Sequence, residues 1–280
     1  MWGHSVFYQR INGIEDLEEA SAGATMDPVQ LDRGPVRGEL VFAPLSDGVL
    51  SYGRYSGEVS IRGTFGDQGL TFGILIGCGE ATVCSKSVEP GTFGVFPVGF
   101  DHSAVYHGGT NYLLFDIAPE TLEAFAEEEG YVLGPRVLTT ANLYQPSQPW
   151  GRYLRQQAGE IVNQLRLAQE PEDQPFVAHA LRNQFLRLAV TSLASVSAAE
   201  RRDEDLQRNS SKILRDVHEW LRARHGLDCD VQELSSYLHM SRSTLFRTFE
   251  QEAGISPGKY MKHFRMAQVR RALAHAPNGN

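Results

Sequence analysis

Glycine constrains this chain more than any other feature. Sixteen of its 27 glycines fall between Gly34 and Gly109. The stretch also alternates, in Leu50-Ser-Tyr-Gly-Arg-Tyr55, Val59-Ser-Ile-Arg-Gly-Thr-Phe65 and Leu70-Thr-Phe-Gly-Ile-Leu-Ile76. Short β-rich runs broken by Gly, Asp-Gly and Pro-Gly predict antiparallel strands with tight turns. Their regular spacing favours a sandwich or small barrel. A further strand is expected over Asn111-Tyr-Leu-Leu-Phe-Asp-Ile117.

The texture changes after about residue 118. Pro119-Glu-Thr-Leu-Glu-Ala-Phe-Ala opens a short helix with Pro in its first turn. From Trp150, apolar residues recur at 150, 153, 154, 161, 162 and 165, one stripe at helical period. A second helix is expected from about Phe176 to Ser197, with Val177, Leu181, Phe185, Leu188 and Val196 along one side. Two such stripes bury either against the chain's own sheet or in a helix–helix dimer contact. The segment 198–211 nearly lacks large apolar residues and is expected to be a linker.

Charge divides the chain at the same place. The net charge is −8. Residues 1–209 hold 15 basic against 27 acidic residues, whereas 210–280 hold 11 against 7. Within 242–271, seven basic residues (Arg242, Arg247, Lys259, Lys262, Arg265, Arg270, Arg271) stand against Glu250 and Glu252. The basic end is the part that can sit on phosphates. No apolar run of about 18 residues crosses a membrane. The first thirty residues carry Glu15, Asp16, Glu18 and Glu19 and no signal-peptide pattern. Cys78, Cys84 and Cys229 form no CxxC pair, which suggests a reducing, cytoplasmic setting and no zinc site.

The C-terminal segment reads as four helices. The first starts at Asn209 or Ser210, buries Ile213, Leu214, Val217, Trp220 and Leu221, and stops at Gly226. Asp230-Val-Gln-Glu233 has the form of a capping box for a short second helix with Val231, Leu234 and Leu238 on one side. His239-Met240 make a turn. Ser241 caps a third helix with Leu245 and Phe249 inward, ended by Gly254, and Ser256-Pro257 start a fourth. A short helix, a short turn and a second short helix make a helix-turn-helix. Helical period then puts Ser243, Phe246, Arg247 and Glu250 on the outer face, the face that enters a major groove. Arg247 can bond guanine O6 and N7, Phe246 can touch a thymine methyl, and Ser243 can read a base edge. Arg242, Lys259, Lys262 and Arg265 are placed to meet phosphate.

At these residues the chain resembles the AraC/XylS family of bacterial transcription regulators. The resemblance rests on Val231-Gln-Glu-Leu-Ser-Ser-Tyr-Leu-His-Met-Ser-Arg-Ser-Thr-Leu-Phe-Arg-Thr-Phe249, on Gly254-Ile-Ser-Pro-Gly-Lys-Tyr260, and on Phe264-Arg-Met-Ala-Gln-Val-Arg-Arg-Ala-Leu273. It is strong over about 210–275. In the β-rich front it is weaker, where Pro90-Gly-Thr-Phe-Gly-Val-Phe-Pro-Val-Gly99 resembles a cupin hairpin with Thr92 in place of an acidic residue. The resemblance implies an effector-sensing front domain and a DNA-binding tail. Family members carry two helix-turn-helix units. Here the sequence runs out at Ala276-Pro-Asn-Gly-Asn280, so an incomplete unit is expected. Dimerisation would then supply a second head about one helical turn away, roughly 34 Å. A regulator-derived partner that dimerises with a full-length relative without binding DNA is the first alternative, and a cupin-type metalloenzyme is the less favoured second.

Cupin-type barrels can also be metalloenzymes, which need two His one residue apart and a carboxylate. His102 and His107 are five apart and face opposite ways on one strand. No metal site, catalytic residue or cofactor is therefore expected. Asp101, His102 and Tyr106 are expected as pocket or loop polar groups. Candidate effector-lining aromatics are Tyr52, Tyr55, Phe65, Phe72, Phe93 and Phe96.

The expected fold is α+β. A β-rich cupin-like front (about 34–117) with helices (about 119–197) forms a sensing and dimerisation domain over 1–200. A linker (198–211) and an all-α helix-turn-helix domain (212–280) follow. The expected partners are double-stranded DNA, a small-molecule effector and a second copy of the chain, with no membrane.

Overall fold

The computed structural model describes residues 6–19, 25–66, 69–133, 137–167, 174–195, 208–224, 230–253 and 255–274. The order opens with β1 (Phe7–Ile11), α1 (Glu15–Glu19), β2 (Thr25–Gln30), β3 (Gly38–Leu45), β4 (Gly48–Tyr55) and β5 (Val59–Thr64). Then come β6 (Leu70–Val83), β7 (Lys86–Val88), β8 (Phe93–Phe96) and the longest strand, β9 (Asp101–Ile117). The rest is helical except for one short strand: α2 (Pro119–Glu128), β10 (Asn142–Tyr144), α3 (Gln148–Leu167), α4 (Gln174–Ser195), α5 (Arg208–Ala223), α6 (Val231–Tyr237), α7 (Arg242–Ala253) and α8 (Pro257–Ala274). The architecture is α+β, with one large antiparallel sheet.

β9 sets the shape of that sheet. Its start, 101–106, pairs with β5, and its end, 110–117, pairs with β4. β6 runs along its other edge through both parts. The change of partner falls at Gly108 and Gly109, at φ +88° and +97°, a region open to glycine and strained for other residues. A Cβ on Gly109 would lie 2.6 Å from the Tyr55 carbonyl oxygen. The facing strand shifts register after Leu75 and again after Cys78. Bulges of this kind bend a sheet. It therefore folds over, with β1-β3-β4-β9-β6-β8-β10 on one side and β2-β5-β9-β6-β7 on the other.

Strand alternation then assigns each side chain to a layer. Val41, Leu50, Tyr52, Phe72, Ile74, Leu113 and Phe115 turn outward from the first half and pack under α2, α3 and α4. Leu40, Tyr55, Val59, Ile61, Leu75, Ala104 and Tyr106 turn into the fold. Val29, Leu31 and Val105 turn outward from the second half and pack with α5 to α8. The molecule is thus layered: helices, half-sheet, interior, half-sheet, helices.

The helical stripes of α3 and α4 bury against the chain's own sheet. Leu154, Ala158, Ile161, Val162 and Leu165 of α3, and Leu181, Phe185, Leu188 and Leu193 of α4, join that outward cluster. Of the residues expected in the stripes, Tyr153 is instead exposed, Trp150 and Val177 are partly buried, and Val196 lies outside the described residues.

The β-rich part begins earlier than residue 34, because β1 and β2 precede it. Each takes one edge, β1 against β3 and β2 against β5. An edge tolerates Pro28, which lacks the N–H a central strand needs. The helical part is likewise interrupted by β10, which pairs with β8. Of the expected linker, 198–207 lies outside the described residues, and α5 already begins at Arg208. No described helix is long and apolar enough to cross a membrane. Cys78 and Cys84 form no disulfide among the described residues, and Cys229 lies outside them.

Candidate functional site

The C-terminal helices are built from local signals. Asp230 caps α6: its side chain accepts from the Glu233 backbone N–H at 2.7 Å. The Ser235 hydroxyl donates to the Met240 carbonyl at 2.6 Å across the turn. His239 holds that turn at φ +51°. The Ser241 hydroxyl accepts from Thr244 N–H at 3.1 Å and starts α7, and the Ser256 hydroxyl accepts from Lys259 N–H at 3.4 Å at the start of α8. Inside, Val217, Trp220, Leu221, Leu234, Leu245, Phe249 and Phe264 form one core. Leu214, Gly226 and Gly254, expected in this core or as helix stops, lie outside the residues whose side chains or placement are described.

With Leu245 and Phe249 turned in, α7 turns Arg242, Ser243, Phe246, Arg247 and Glu250 outward. Phe246 is 37% exposed. That is high for a phenylalanine with no packing duty on a core. Arg242 and Arg247 have no ion-pair partner among the described residues. Ser243 shares its hydroxyl with the cap, 3.0 Å from the Ser241 Oγ. Lys259 and Lys262 are exposed on α8. Arg265 is half-buried and its Nε donates back to the Met261 carbonyl at 3.4 Å. Six of the seven expected cationic or reading residues are thus accessible, and Arg265 is partly folded onto its own helix.

The same helices sit on the outer face of the second half-sheet through a buried polar joint. Asp27 of β2 pairs with Arg222 of α5. Its carboxylate also lies 3.7 Å from His218 Nδ1, beyond good hydrogen-bond reach. The His218 Nε2 meets the Tyr260 hydroxyl of α8, and a hydrogen bond links Tyr260 to Ser60 of β5. In the wall beneath, Arg62, 6% exposed, pairs with Asp101. Burial pushes the His218 pKa below its usual value, with Asp27 pulling the other way, and pushes the Tyr260 hydroxyl well up. Asp101, expected near a pocket, therefore belongs to the outer face.

On the inner face of that wall lies a cavity of about 130 Å³ with a largely apolar lining. Tyr55, Phe65, Phe96, His102, Tyr106 and Tyr112 contribute rings. Phe65 stacks on His102 at 3.9 Å and on Phe96 at 4.6 Å between centroids. Tyr55 meets Tyr106 and Tyr112 edge-on, each at 6.3 Å. The buried His102 Nδ1 and Tyr55 hydroxyl have no hydrogen-bond partner. Burial holds the His102 pKa down at about 4, against the pull of a bond to the Gly63 carbonyl and the Asp101 charge. The imidazole is neutral at pH 7.

The six aromatics expected along the cavity separate. Tyr55, Phe65 and Phe96 line it. Tyr52 and Phe93 border it, yet their side chains belong to the cluster under the helices. Phe72 is not at the cavity; it packs against Phe185 at 5.7 Å. Of the two histidines five apart, His102 faces in and His107 lies 3.6 Å from Glu58. Among the described residues no group of three or more His, Cys, Asp and Glu is arranged to hold a metal.

No protein-family model matches the chain, and no curated protein matches it either. Among solved structures, it is similar to the AraC-like transcriptional activator CuxR, with 16% identity, TM-score 0.43 and coverage of 96% of both chains. It is also similar to ToxT from Vibrio cholerae, with 7% identity, TM-score 0.30 and coverage of 92% of this chain and 86% of that one. An oxalate decarboxylase from B. subtilis is similar over 37% of this chain and 35% of its own, with 20% identity and TM-score 0.19. Likeness this loose establishes neither a family nor a function.

Proposed function

We propose that this chain is a ligand-responsive transcription regulator that binds specific double-stranded DNA. Residues 212–280 form the DNA-binding unit, and residues 1–200 the sensing and dimerising unit. The outward face of α7 carries the reading: Phe246 and Arg247 stand exposed, beside Arg242, on a helix whose other face is fully buried. In a major groove Arg247 donates to guanine and Phe246 touches a thymine methyl, while Lys259 and Lys262 meet phosphates. Two copies of the chain present two such faces.

The wall formed by β2, β5 and β9 supports the ligand response. Its inner residues Met26, Ile61, His102, Ala104 and Tyr106 line the cavity. Its outer residues Asp27, Val29, Arg62 and Val105 carry the DNA-binding helices or lie beneath them. A small effector in the cavity would press on the same strands that hold the DNA head, and one that fits the cavity better in one head position than in another would shift the head toward it.

A mobility-shift titration against the DNA upstream of the chain's own gene tests this reading. Retardation that survives a large excess of unrelated duplex is expected. Binding that unrelated duplex abolishes would contradict it. Affinity should also fall linearly with log salt, and Lys259→Ala should reduce that slope by about one. A slope that Lys259→Ala leaves unchanged removes this residue from the phosphate contacts.

A further inference from the structure

A second, polar groove of about 1030 Å³ lies beside the bend in the sheet, away from α5 to α8. Strand register builds one wall of it. Arg10 lies opposite Glu39, Glu39 opposite Arg54, Arg54 opposite Asn111, and Asn111 opposite Gly77. These five residues therefore form one row across five strands on a single sheet face. Arg37, just before β3, joins them at the groove.

Two features of this groove call for a ligand. First, Arg10, Arg37 and Arg54 are exposed and line the same groove, yet none has a carboxylate within ion-pair distance among the described residues. Glu39, the acid set between two of them, is engaged by Arg166 at 3.1 Å. This occurs in the part of the chain where acids outnumber bases 27 to 15. Three like charges brought together repel unless an anion joins them. Second, the Asn111 Oδ1 is buried at the groove and has no hydrogen-bond partner. Buried polar groups without partners are rare and mark a missing water, ion or ligand. The groove is open over Gly77, where a Cβ would touch only the Asn111 Cβ, at 3.8 Å.

We propose that this groove binds a phosphorylated small molecule of nucleotide size. Guanidinium groups match phosphate oxygens with paired hydrogen bonds and stack on planar rings. The Asn111 Oδ1 accepts from a base N–H or a sugar hydroxyl. The volume is at the upper end for small-ligand sites, roughly 300–1,000 Å³, and exceeds what a lone phosphate fills. The proposal is independent of the DNA-binding reading, because none of these residues lies on the C-terminal helices.

Calorimetric titration of the full chain with GMP, AMP, guanosine and pyrophosphate, at about 50 mM salt, tests it. At least one nucleotide should bind saturably with a dissociation constant below about 1 mM, and at least tenfold tighter than guanosine. Arg54→Gln should weaken binding about tenfold or more, and Gly77→Leu, which fills the groove, should abolish it. Lys86→Gln, outside the groove, should change nothing. Circular dichroism shows which variants fold, and either groove variant alone decides the matter. Failure of both nucleotides and of pyrophosphate to saturate below about 1 mM would overturn the proposal. So would nucleotide binding that survives Arg54→Gln or Gly77→Leu.

Discussion

Phe185→Ala is expected to lower the unfolding free energy by about 4 kcal/mol. Phe185 is fully buried on α4. Its ring meets Phe72 of β6 at 5.7 Å and Phe115 of β9 at 5.4 Å, both edge-on at 80° and 88°. Edge-to-face pairs add about 0.5–1.5 kcal/mol each beyond area burial. Truncation loses both and leaves a cavity between helix and sheet that close packing cannot collapse. Because β6 and β9 run through both halves of the sheet, the loss should be global rather than local. Urea unfolding followed by circular dichroism measures it. A loss under about 1 kcal/mol would show that α4 does not hold the sheet as described.

The second large effect is acid sensitivity. The His102 Nδ1 is buried without a partner, and the folded pKa of about 4 lies below the usual 6.5. The folded state thus disfavours the proton that the unfolded state accepts. Stability from this group is full above about pH 6.5 and is lost as pH falls from there toward 4. The shift corresponds to about 3 kcal/mol at the lower end. His218 is shifted the same way by burial and adds to the loss in the same direction. Carboxylates also titrate near the bottom of this window, so the comparison that isolates His102 is with His102→Phe, which keeps a flat ring against Phe65. Urea midpoints at pH 7 and pH 4.5 should converge between variant and parent at the lower pH, with the parent falling further. Equal falls would mean that the imidazole is protonated in the folded protein.

Much of the fold was legible from period and punctuation. The alternating runs over 50–55, 59–65 and 70–76 became β4, β5 and the start of β6. The caps at Asp230, Ser241 and Ser256 stand where Asp-x-x-Glu, Ser-x-x-Thr and Ser-Pro place them. Strand parity was also available and separates the aromatics. Tyr52 and Tyr55 are three apart, as are Phe93 and Phe96, so one of each pair must face away from the interior. The structure puts Tyr55 and Phe96 inside.

Other features were not legible, for physical reasons. β1 and β2 are edge strands, and an edge needs neither strict alternation nor a full set of donors. The joint between sheet and C-terminal helices depends on pairs remote in sequence. Asp27 and Arg222 are 195 residues apart, and His218 reaches Tyr260 across 42. No local pattern marks a histidine as buried beside a tyrosine hydroxyl. The arginine groove is hidden for the same reason: Arg10, Arg54 and Asn111 become neighbours only through the register of β1, β3, β4 and β9.

The central claim is that the outward face of α7 reads base edges, and the direct measurement is fluorescence anisotropy of the labelled upstream duplex with parent and Arg247→Ala protein. Arg247 is exposed and unpaired among the described residues, so its removal leaves the helical core intact. Affinity for the specific duplex should drop by about 1–3 kcal/mol while affinity for unrelated duplex stays the same. An equal drop on both duplexes, or no drop on either, would contradict base reading by this helix.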